Sequence, residues 1–256
     1  MNRRSISRLA LVQKRIRLGD EAYVEAGARL FGDVETAQGV HIEANAVLYG
    51  PLKIGKHSYI GPNCVIGFPT ASELPATTQR PGGTTQKGLT VIGDRCTVRS
   101  GVTIYSQVTV GDDVSLGHNV LVREKVSIGD GSKLGTSVVV DGTTSIGSHV
   151  SIQTGVYICT YSTIEDCVFL GPCSVLTNDR YVTQKPFKLI GPTVKKGASI
   201  GANALLFPGI TVGEGAIVGA QAMVNANVPP RTIFAGVPAK KIRDLPEDWR
   251  SSLLKN

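Results

Sequence analysis

Aliphatic residues recur at every sixth position along most of the chain. The spacing runs without a slip from residue 92 to 176, and the same register holds from 18 to 70 and from 194 to 229. In most of these repeats a second small or β-branched residue lies four positions after the first. The recurring residues of the central run are Ile92, Val98, Ile104, Val110, Leu116, Val122, Ile128, Leu134, Val140, Ile146, Ile152, Ile158, Ile164, Leu170 and Leu176.

A period of six matches neither one face of a helix nor a long alternating strand, but short strands joined by tight corners reproduce it. Three such repeats form a coil of eighteen residues, and residues eighteen apart stack at the ~4.8 Å spacing of neighbouring strands. The pattern therefore predicts an all-β, parallel β-helix over residues 18–229. A basic N-terminal extension over 1–17 and a tail over 230–256 would flank it.

Glycine often follows the recurring aliphatic residue, as at Gly171, Gly201 and Gly219. We expect these glycines to supply backbone angles at or near the corners that bulkier residues resist.

Composition agrees with a narrow, aliphatic core. The chain has 41% hydrophobic residues but only 5% aromatic ones, together with 30 glycines and 13 prolines. The formal charge of +7 favours anionic partners, which include nucleic acid, a membrane surface and phosphorylated small molecules.

The first residues carry basic side chains but an apolar run of only four residues, which is too short for a signal peptide or a membrane span. We expect a cytoplasmic protein, in which five cysteines without a C-x-x-C pair are reduced thiols.

Two insertions interrupt the repeat. "SELPATTQRPGGTTQKG" follows Thr70 and "RYVTQKPFKLIGPT" follows Asp179. A solenoid accepts an insertion only at a corner, where the extra residues project outward, so we expect loops at about 71–90 and 180–193. Long loops on an economical scaffold are often functional, although a surface excursion without a role is the alternative.

The pattern [LIV]-G-x-x-[STAV]-x resembles that of the hexapeptide-repeat acyltransferases over roughly residues 18–242. This resemblance implies a left-handed β-helix, which periodicity alone does not, and an unrelated right-handed β-solenoid is the alternative. The stretch "IQTGVYICTYSTIEDCVFLGPCSVLTNDRY" is similar to sugar-nucleotide N-acetyltransferases of that family. By this resemblance Asp179 accepts a hydrogen bond from the sugar amine and Asn178 orients it. Both residue types also form turns well, which is the structural alternative.

The third block, "VKKGASIGANALLFPGITVGEGAIVGAQAMVNANVPPRTIFAGVPAKKI", is similar to the C-terminal signature of members that use acetyl-CoA. The resemblance implies that pantetheine lies along the backbone where small residues allow close approach, and that two lysines meet the CoA phosphates. A solvated basic tail is the alternative for the lysines. The implied cofactor residues are Gly201, Ala202, Gly219, Ala220, Lys240 and Lys241.

Acyl transfer to an amine or hydroxyl often uses a histidine as general base. The chain has His41, His57, His118 and His149, and His118 in "SLGHNVLV" is the catalytic candidate, with surface or corner placement as the alternative for all four. Some relatives carry a base directly after the segment I-Q-x. In this chain that position, in "IQTG", is Gly155. Because the amine of an amino sugar is weakly basic, we expect direct attack on acetyl-CoA, driven by positioning and by backbone hydrogen bonds to the oxyanion.

Other functions remain open on the sequence. An O-acetyltransferase would act on a hydroxyl acceptor, and a non-catalytic scaffold would need no acceptor loop. A zinc-dependent β-helix enzyme needs stacked histidines a whole number of coils apart, which 118 and 149 are not, so no metal site is expected. Binding of nucleic acid is disfavoured because the sequence lacks a basic surface interleaved with aromatic residues.

The family resemblance implies a homotrimer whose partners are CoA and a nucleotide sugar. The C-terminal tail, with Trp249, Leu253 and Leu254, predicts a short capping helix.

Overall fold

A computed structural model describes residues 5–13, 16–74 and 88–255. The chain divides into two compact units, Met1–Val126 and Ser127–Asn256. Each unit consists of short parallel strands in three sheets, and the sheets are called A1, B1 and C1 in the first unit and A2, B2 and C2 in the second. The structure thus confirms the all-β parallel β-helix.

In the first unit the chain visits the three sheets in turn. Sheet A1 contains β1 (Ser5–Ile6), β3 (Tyr23–Val24), β6 (His41–Ile42), β9 (Tyr59–Ile60), β12 (Thr97–Val98) and β15 (Ser115–Leu116). Sheet B1 contains β2 (Leu11–Val12), β4 (Arg29–Phe31), β7 (Val47–Tyr49), β10 (Val65–Phe68), β13 (Thr103–Tyr105) and β16 (Leu121–Val122). Sheet C1 contains β5 (Val34–Thr36), β8 (Leu52–Ile54), β11 (Thr90–Ile92) and β14 (Thr109–Val110).

The second unit repeats this order. Sheet A2 contains β18 (Lys133–Leu134), β21 (Ser151–Ile152), β24 (Phe169–Leu170), β27 (Ser199–Ile200), β30 (Ile217–Val218), β32 (Thr232–Ala235) and β33 (Lys240–Asp244). Sheet B2 contains β19 (Val139–Val140), β22 (Tyr157–Ile158), β25 (Val175–Leu176), β28 (Leu205–Leu206) and β31 (Met223–Val224). Sheet C2 contains β17 (Ser127–Ile128), β20 (Ser145–Ile146), β23 (Thr163–Ile164), β26 (Thr193–Val194) and β29 (Thr211–Val212).

Strand register confirms the eighteen-residue coil. Lys133 pairs with Ser151 and Ser151 with Phe169, each eighteen positions apart. Phe169 then pairs with Ser199, so the chain between them carries twelve extra residues. The recurring aliphatic residues point inward, and Ile152, Ile158, Ile164, Leu170 and Leu176 are each at most 1% exposed. Burial of these columns drives the stacking.

The coils extend beyond the predicted boundaries at both ends. β1 and β2 lie within residues 1–17 and pair with β3 and β4, because Ile6 and Val12 continue the six-residue spacing. At the other end β32 and β33 form an antiparallel hairpin within the predicted tail over 230–256. The helix is a single 3-10 turn, Ser252–Lys255, and Trp249 lies before it.

Of the two predicted insertions, the structure describes the second. Residues 75–87 of the insertion at about 71–90 lie outside the described residues. The segment 180–192 runs without a strand between β25 of sheet B2 and β26 of sheet C2, which places it at a corner of the coil.

The glycines that follow the inward aliphatic residues do not have the role predicted for them. The left-handed backbone falls two positions later in the repeat. After Gly171, Gly201 and Gly219 that position is occupied by Cys173, Asn203 and Gln221, and in other repeats it is occupied by a further glycine, such as Gly131 or Gly215. At Gly201 a Cβ atom would lie 2.7 Å from the Cα atom of Ala220 in the next coil. Close stacking of successive coils, rather than an unusual backbone angle, therefore requires glycine there.

Candidate functional site

The Asn178–Asp179 pair lies at the corner between sheets B2 and C2, which we call the BC corner. The Asn178 side-chain amide donates to the carbonyl oxygen of Thr160 at 3.4 Å in the preceding coil. The backbone carbonyl oxygen of Asn178 accepts from the backbone N–H of Ile190 at 3.1 Å, where the loop returns. Asn178 thus fixes the point at which the 180–192 loop leaves and rejoins the coil.

Asp179 holds the first turn of this loop. Its Oδ1 accepts from the backbone N–H of Tyr181 at 2.9 Å, and its Oδ2 accepts from that of Thr183 at 2.8 Å. These backbone N–H groups lower the pKa of Asp179, so the carboxylate is charged at neutral pH. Val182 and Thr183 have φ values of 50° and 65°, which β-branched residues rarely adopt.

The remainder of the loop carries an aromatic cluster. The rings of Tyr181 and Phe187 meet edge to face with centroids 5.2 Å apart, and the ammonium of Lys185 lies 3.8 Å from the centroid of Tyr181. Ile190 rests beside Gly209 in the following coil. The BC corner therefore presents one carboxylate beside a basic and aromatic loop.

The predicted cofactor residues lie at a different corner, between sheets A2 and B2, which we call the AB corner. Gly201 and Ala202 stack on Gly219 and Ala220 of the next coil. The preceding coil places Pro172 and Cys173 at the same corner, and the coil before it places Thr154 and Gly155 there. Pro172 and Cys173 were not predicted to lie at this corner. Their separation of thirty residues from Ala202 and Asn203 equals one coil of eighteen plus the twelve extra residues of the insertion, so the sequence could have placed them there.

Side-chain carboxylates accept from two backbone donors at the corner between sheets C2 and A2, the CA corner. There the N–H of Ser148 donates to Asp166 at 2.8 Å and that of Lys196 to Glu165 at 3.0 Å. The N–H groups of Ala202 and Ala220 donate to no residue in the described part of the chain. Because alanine has no side-chain acceptor, a ligand can approach both donors.

The two predicted lysines differ in their surroundings. Lys240 pairs with Ala235 in the hairpin, and Ala235 packs against Gly219, so Lys240 lies near the AB corner. Lys241 forms an ion pair of 2.6 Å with Asp244. Lys240 is therefore the better placed of the two to meet an anion at this corner.

The structure groups the predicted cofactor residues but separates them from the acceptor residues. Gly201, Ala202, Gly219, Ala220 and Lys240 lie at or beside the AB corner, whereas Asn178 and Asp179 lie at the BC corner. One side of a coil intervenes, and six residues at ~3.3 Å per residue make it up to ~20 Å long. Within the second unit, the two groups do not form one site.

Gly155 lies at the AB corner and supplies no side chain that could act as a base. Its φ is 72°, and a Cβ atom there would lie 3.1 Å from the sulfur of Cys173. Cys173 is exposed, whereas the other four cysteines are buried. Burial raises the pKa of Cys64 and Cys159 to about 11.

His118 belongs to the first unit. Its exposed ring places Nδ1 at 2.7 Å from Oγ of Ser100, one coil earlier. Nε2 makes no hydrogen bond within the described part of the chain. His57 and His149 instead lie over the backbone of Gly39 and Gly131 in the preceding coils.

Within residues 5–13, 16–74 and 88–255, no three His, Cys, Asp or Glu side chains are grouped to hold a metal ion. In the same residues no helix is long and apolar enough to cross a membrane.

Known proteins match both units. The family described as bacterial transferase hexapeptide (six repeats) matches residues 33–67 and 90–124, and the hexapeptide repeat of succinyl-transferase matches 125–159 and 196–226. A 2,3,4,5-tetrahydropyridine-2,6-dicarboxylate N-acetyltransferase from Enterococcus faecalis is 46% identical over 52 residues, which are 20% of this chain. That match spans only 22% of the relative's length.

A solved acyltransferase structure shares the fold. The UDP-N-acetylglucosamine acyltransferase of Arabidopsis has a TM-score of 0.51 at 16% identity, covering 93% of this chain and 74% of its own. A hexapeptide-repeat acetyltransferase from Vibrio cholerae, complexed with acetyl coenzyme A, is 27% identical with a TM-score of 0.41, covering 47% of this chain and 71% of its own. Together the segments matched by these two hexapeptide-repeat families cover just over half of the chain, which is therefore a hexapeptide-repeat β-helix protein.

Proposed function

We propose that this protein transfers the acetyl group of acetyl-CoA to the amino group of a nucleotide-linked amino sugar. The observation that carries the proposal is the pair of unsatisfied N–H donors of Ala202 and Ala220, stacked beside Lys240 at the AB corner. Family membership and the N-acetyltransferase similar to part of the chain support the same chemistry.

The AB corner suits the donor. Pantetheine carries amide carbonyl groups that accept hydrogen bonds, and stacked backbone N–H groups along an edge offer donors at regular spacing. Lys240 lies where a phosphate at one end of CoA would gain from a positive charge. Lys241 contributes less because Asp244 already neutralises it.

The BC corner suits the acceptor. Each oxygen of Asp179 accepts one backbone N–H, and a carboxylate has further lone pairs. The charged carboxylate can therefore accept a hydrogen bond from a neutral amine while it holds the loop. Asn178 acts as a positioning residue, because its side chain is already bonded to the preceding coil.

The reaction is a direct displacement. The amine nitrogen attacks the thioester carbonyl carbon, so that a C–N bond forms and the C–S bond breaks. The electron pair leaves on sulfur, and the thiolate takes the proton that the amine loses. Catalysis rests on orientation of the amine by Asp179 and on N–H groups that stabilise the oxyanion. No base at position 155 is needed.

A complete site requires a second copy of the chain. Because the AB and BC corners are separated by one side of the coil, the acceptor corner of one copy must meet the donor corner of its neighbour. A closed ring of three copies repeats this contact three times. We therefore propose a homotrimer with one site at each junction.

The test measures thiol release from acetyl-CoA with a panel of nucleotide-linked 3-amino and 4-amino sugars. We expect turnover with at least one amino sugar and none with the matching hydroxyl sugar. Thermal stabilisation by CoA without turnover on any amine would retain the donor and reject the acceptor. Absence of both effects would reject the proposal.

A second function, acetyl transfer to a hydroxyl, is favoured by one observation. The His118 ring contacts Ser100 through Nδ1 and leaves Nε2 available to remove a proton from a hydroxyl. This activity would appear with hydroxyl acceptors and would be lost in His118→Asn. Hydroxyl turnover that persists in that variant would exclude His118 as its base.

A further inference from the structure

The C-terminal tail forms a pocket against the CA corner of the second unit. Its volume is about 430 Å³, within the range of sites for small molecules. Its lining combines apolar residues with mainly cationic ones. The apolar residues are Pro230, Leu245, Trp249 and Leu254, and the charged ones are Lys196, Arg231, Arg250 and Glu214.

Contacts within the chain fix the walls of this pocket. Arg231 donates through Nη2 to the carbonyl oxygen of Pro246 at 2.9 Å, and its own backbone carbonyl accepts from Leu245 at 2.7 Å. Leu254 packs over Gly197, where a Cβ atom would lie 3.1 Å from Cδ1 of the leucine. The tail is thus held in place without a ligand.

Only one of the two adjacent lysines of "VKKG" has an ion-pair partner among the described residues. The ammonium of Lys195 forms an ion pair of 2.6 Å with Glu165. The ammonium of Lys196 has no hydrogen-bond or ion-pair partner among the described residues, although its backbone N–H bonds to Glu165. Lys196 therefore places an uncompensated charge at the pocket wall.

Trp249 supplies a flat apolar surface beside that charge. The side chain is 45% exposed, and the guanidinium of Arg243 lies 5.6 Å from the ring. Arg250, which also lines the pocket, donates through Nη1 to the carbonyl oxygens of Glu247 and Trp249, and this holds its guanidinium beside the tryptophan. Indole rings stack well on nucleobases.

We propose that this pocket binds a mononucleotide, with the phosphate toward Lys196 and Arg250 and the base against Trp249 and Leu254. Phosphate gains from charge-assisted hydrogen bonds to the cations, and the base buries the apolar wall. Glu214, the one acid lining the pocket, offers an acceptor for a ribose hydroxyl or a base amino group. The site lies at the CA corner, so it does not depend on the proposed acetyl transfer.

Trp249 fluorescence tests the proposal because no other tryptophan contributes to the signal. The full-length protein is titrated with UMP, AMP, uridine, ribose 5-phosphate and inorganic phosphate, and equilibrium dialysis with labelled nucleotide measures the same binding. We expect a saturable change with UMP or AMP, and at least tenfold weaker binding of the nucleoside, sugar phosphate and phosphate. Binding of phosphate as tight as that of the nucleotides, or no nucleotide binding by either method, would overturn the proposal.

Matched variants locate the site. Lys196→Met should weaken nucleotide binding at least tenfold, whereas Lys195→Met, the adjacent lysine paired with Glu165, should change it less than twofold. Lys240→Met alters the AB corner and should leave the titration unchanged, which separates this site from the proposed CoA site. Equal binding by Lys196→Met and the parent protein, with matching melting temperatures, would contradict the assignment.

Discussion

Oδ2 of Asp179 accepts a hydrogen bond of 2.8 Å from the backbone N–H of Thr183, four residues further along the chain. Thr183 has a φ of 65°, which a β-branched residue adopts only when its surroundings hold it there. The carboxylate that is proposed to meet the amine is therefore also the group that shapes the loop. Any test of Asp179 must separate these two roles.

Asp179→Asn should lower kcat/KM for the amino-sugar acceptor at least tenfold. An amide has one acceptor oxygen, so one of the two loop contacts and the negative charge are lost. Amide hydrogen exchange at Tyr181 and Thr183 reports the loop separately. The matched control is Asp166→Asn, which removes the same charge from a side chain that accepts a backbone N–H at the CA corner and keeps an acceptor oxygen for that contact. Faster exchange with unchanged kinetics would leave Asp179 a loop-forming residue only.

The loop should open at low pH. The pKa of Asp179 is lowered in the folded chain, so its carboxylate stabilises the loop at pH values above ~3.9, the ordinary value of an aspartate. That stabilisation is lost as pH falls through the lower pKa of the folded state. Protection of the Thr183 amide, measured by NMR, should decline below pH ~4 in the parent protein. A decline centred near pH 6 would assign the effect to another group.

Ala202→Pro and Ala220→Pro should each weaken CoA binding at least tenfold with little change in melting temperature. Proline removes the N–H donor, and Pro172 shows that this corner position accepts proline after glycine. Thr136→Pro, at the same corner position two coils before Pro172, is the control and should bind CoA normally. Unchanged affinity in both alanine variants would show that these N–H groups do not hold the cofactor.

Gly201→Ala should destabilise the fold by about 1–3 kcal/mol, because the added methyl group would press on the backbone of Ala220. The control is Gly209→Asn. Gly209 has a φ of 70°, which asparagine tolerates, and a Cβ atom there makes an ordinary 3.5 Å contact with Ile190. Thermal melting compares the two, and equal melting temperatures would contradict the stacking explanation for Gly201.

Alkylation by iodoacetamide at pH 8 should occur first at Cys173. The thiols of Cys64 and Cys159 are buried, and their pKa of about 11 keeps them protonated at this pH. Because Cys173 lies at the AB corner, bound CoA should slow its modification, which mass spectrometry can follow residue by residue. Modification at the same rate with saturating CoA would place the cofactor elsewhere.

The six-residue spacing from Leu18 to Pro229 determined the strands, the coil length and the inward columns, because burial of aliphatic side chains depends only on local periodicity. It also located the break after Asp179. It placed the start of the coils too late, since the basic residues around Ile6 and Val12 obscured two further repeats.

The tertiary structure alone decided which corners the chemistry occupies. Ala202 and Asp179 are close in sequence, yet they lie at different corners because the loop ends before β26 and the chain must cross sheets C2 and A2 to reach Ala202. The structure also paired the Lys195 ammonium with Glu165 but not that of Lys196, and it placed Trp249 and Lys196 in the lining of one pocket. Such contacts depend on distances between side chains of different coils, and the spacing of residues along the sequence does not determine those distances.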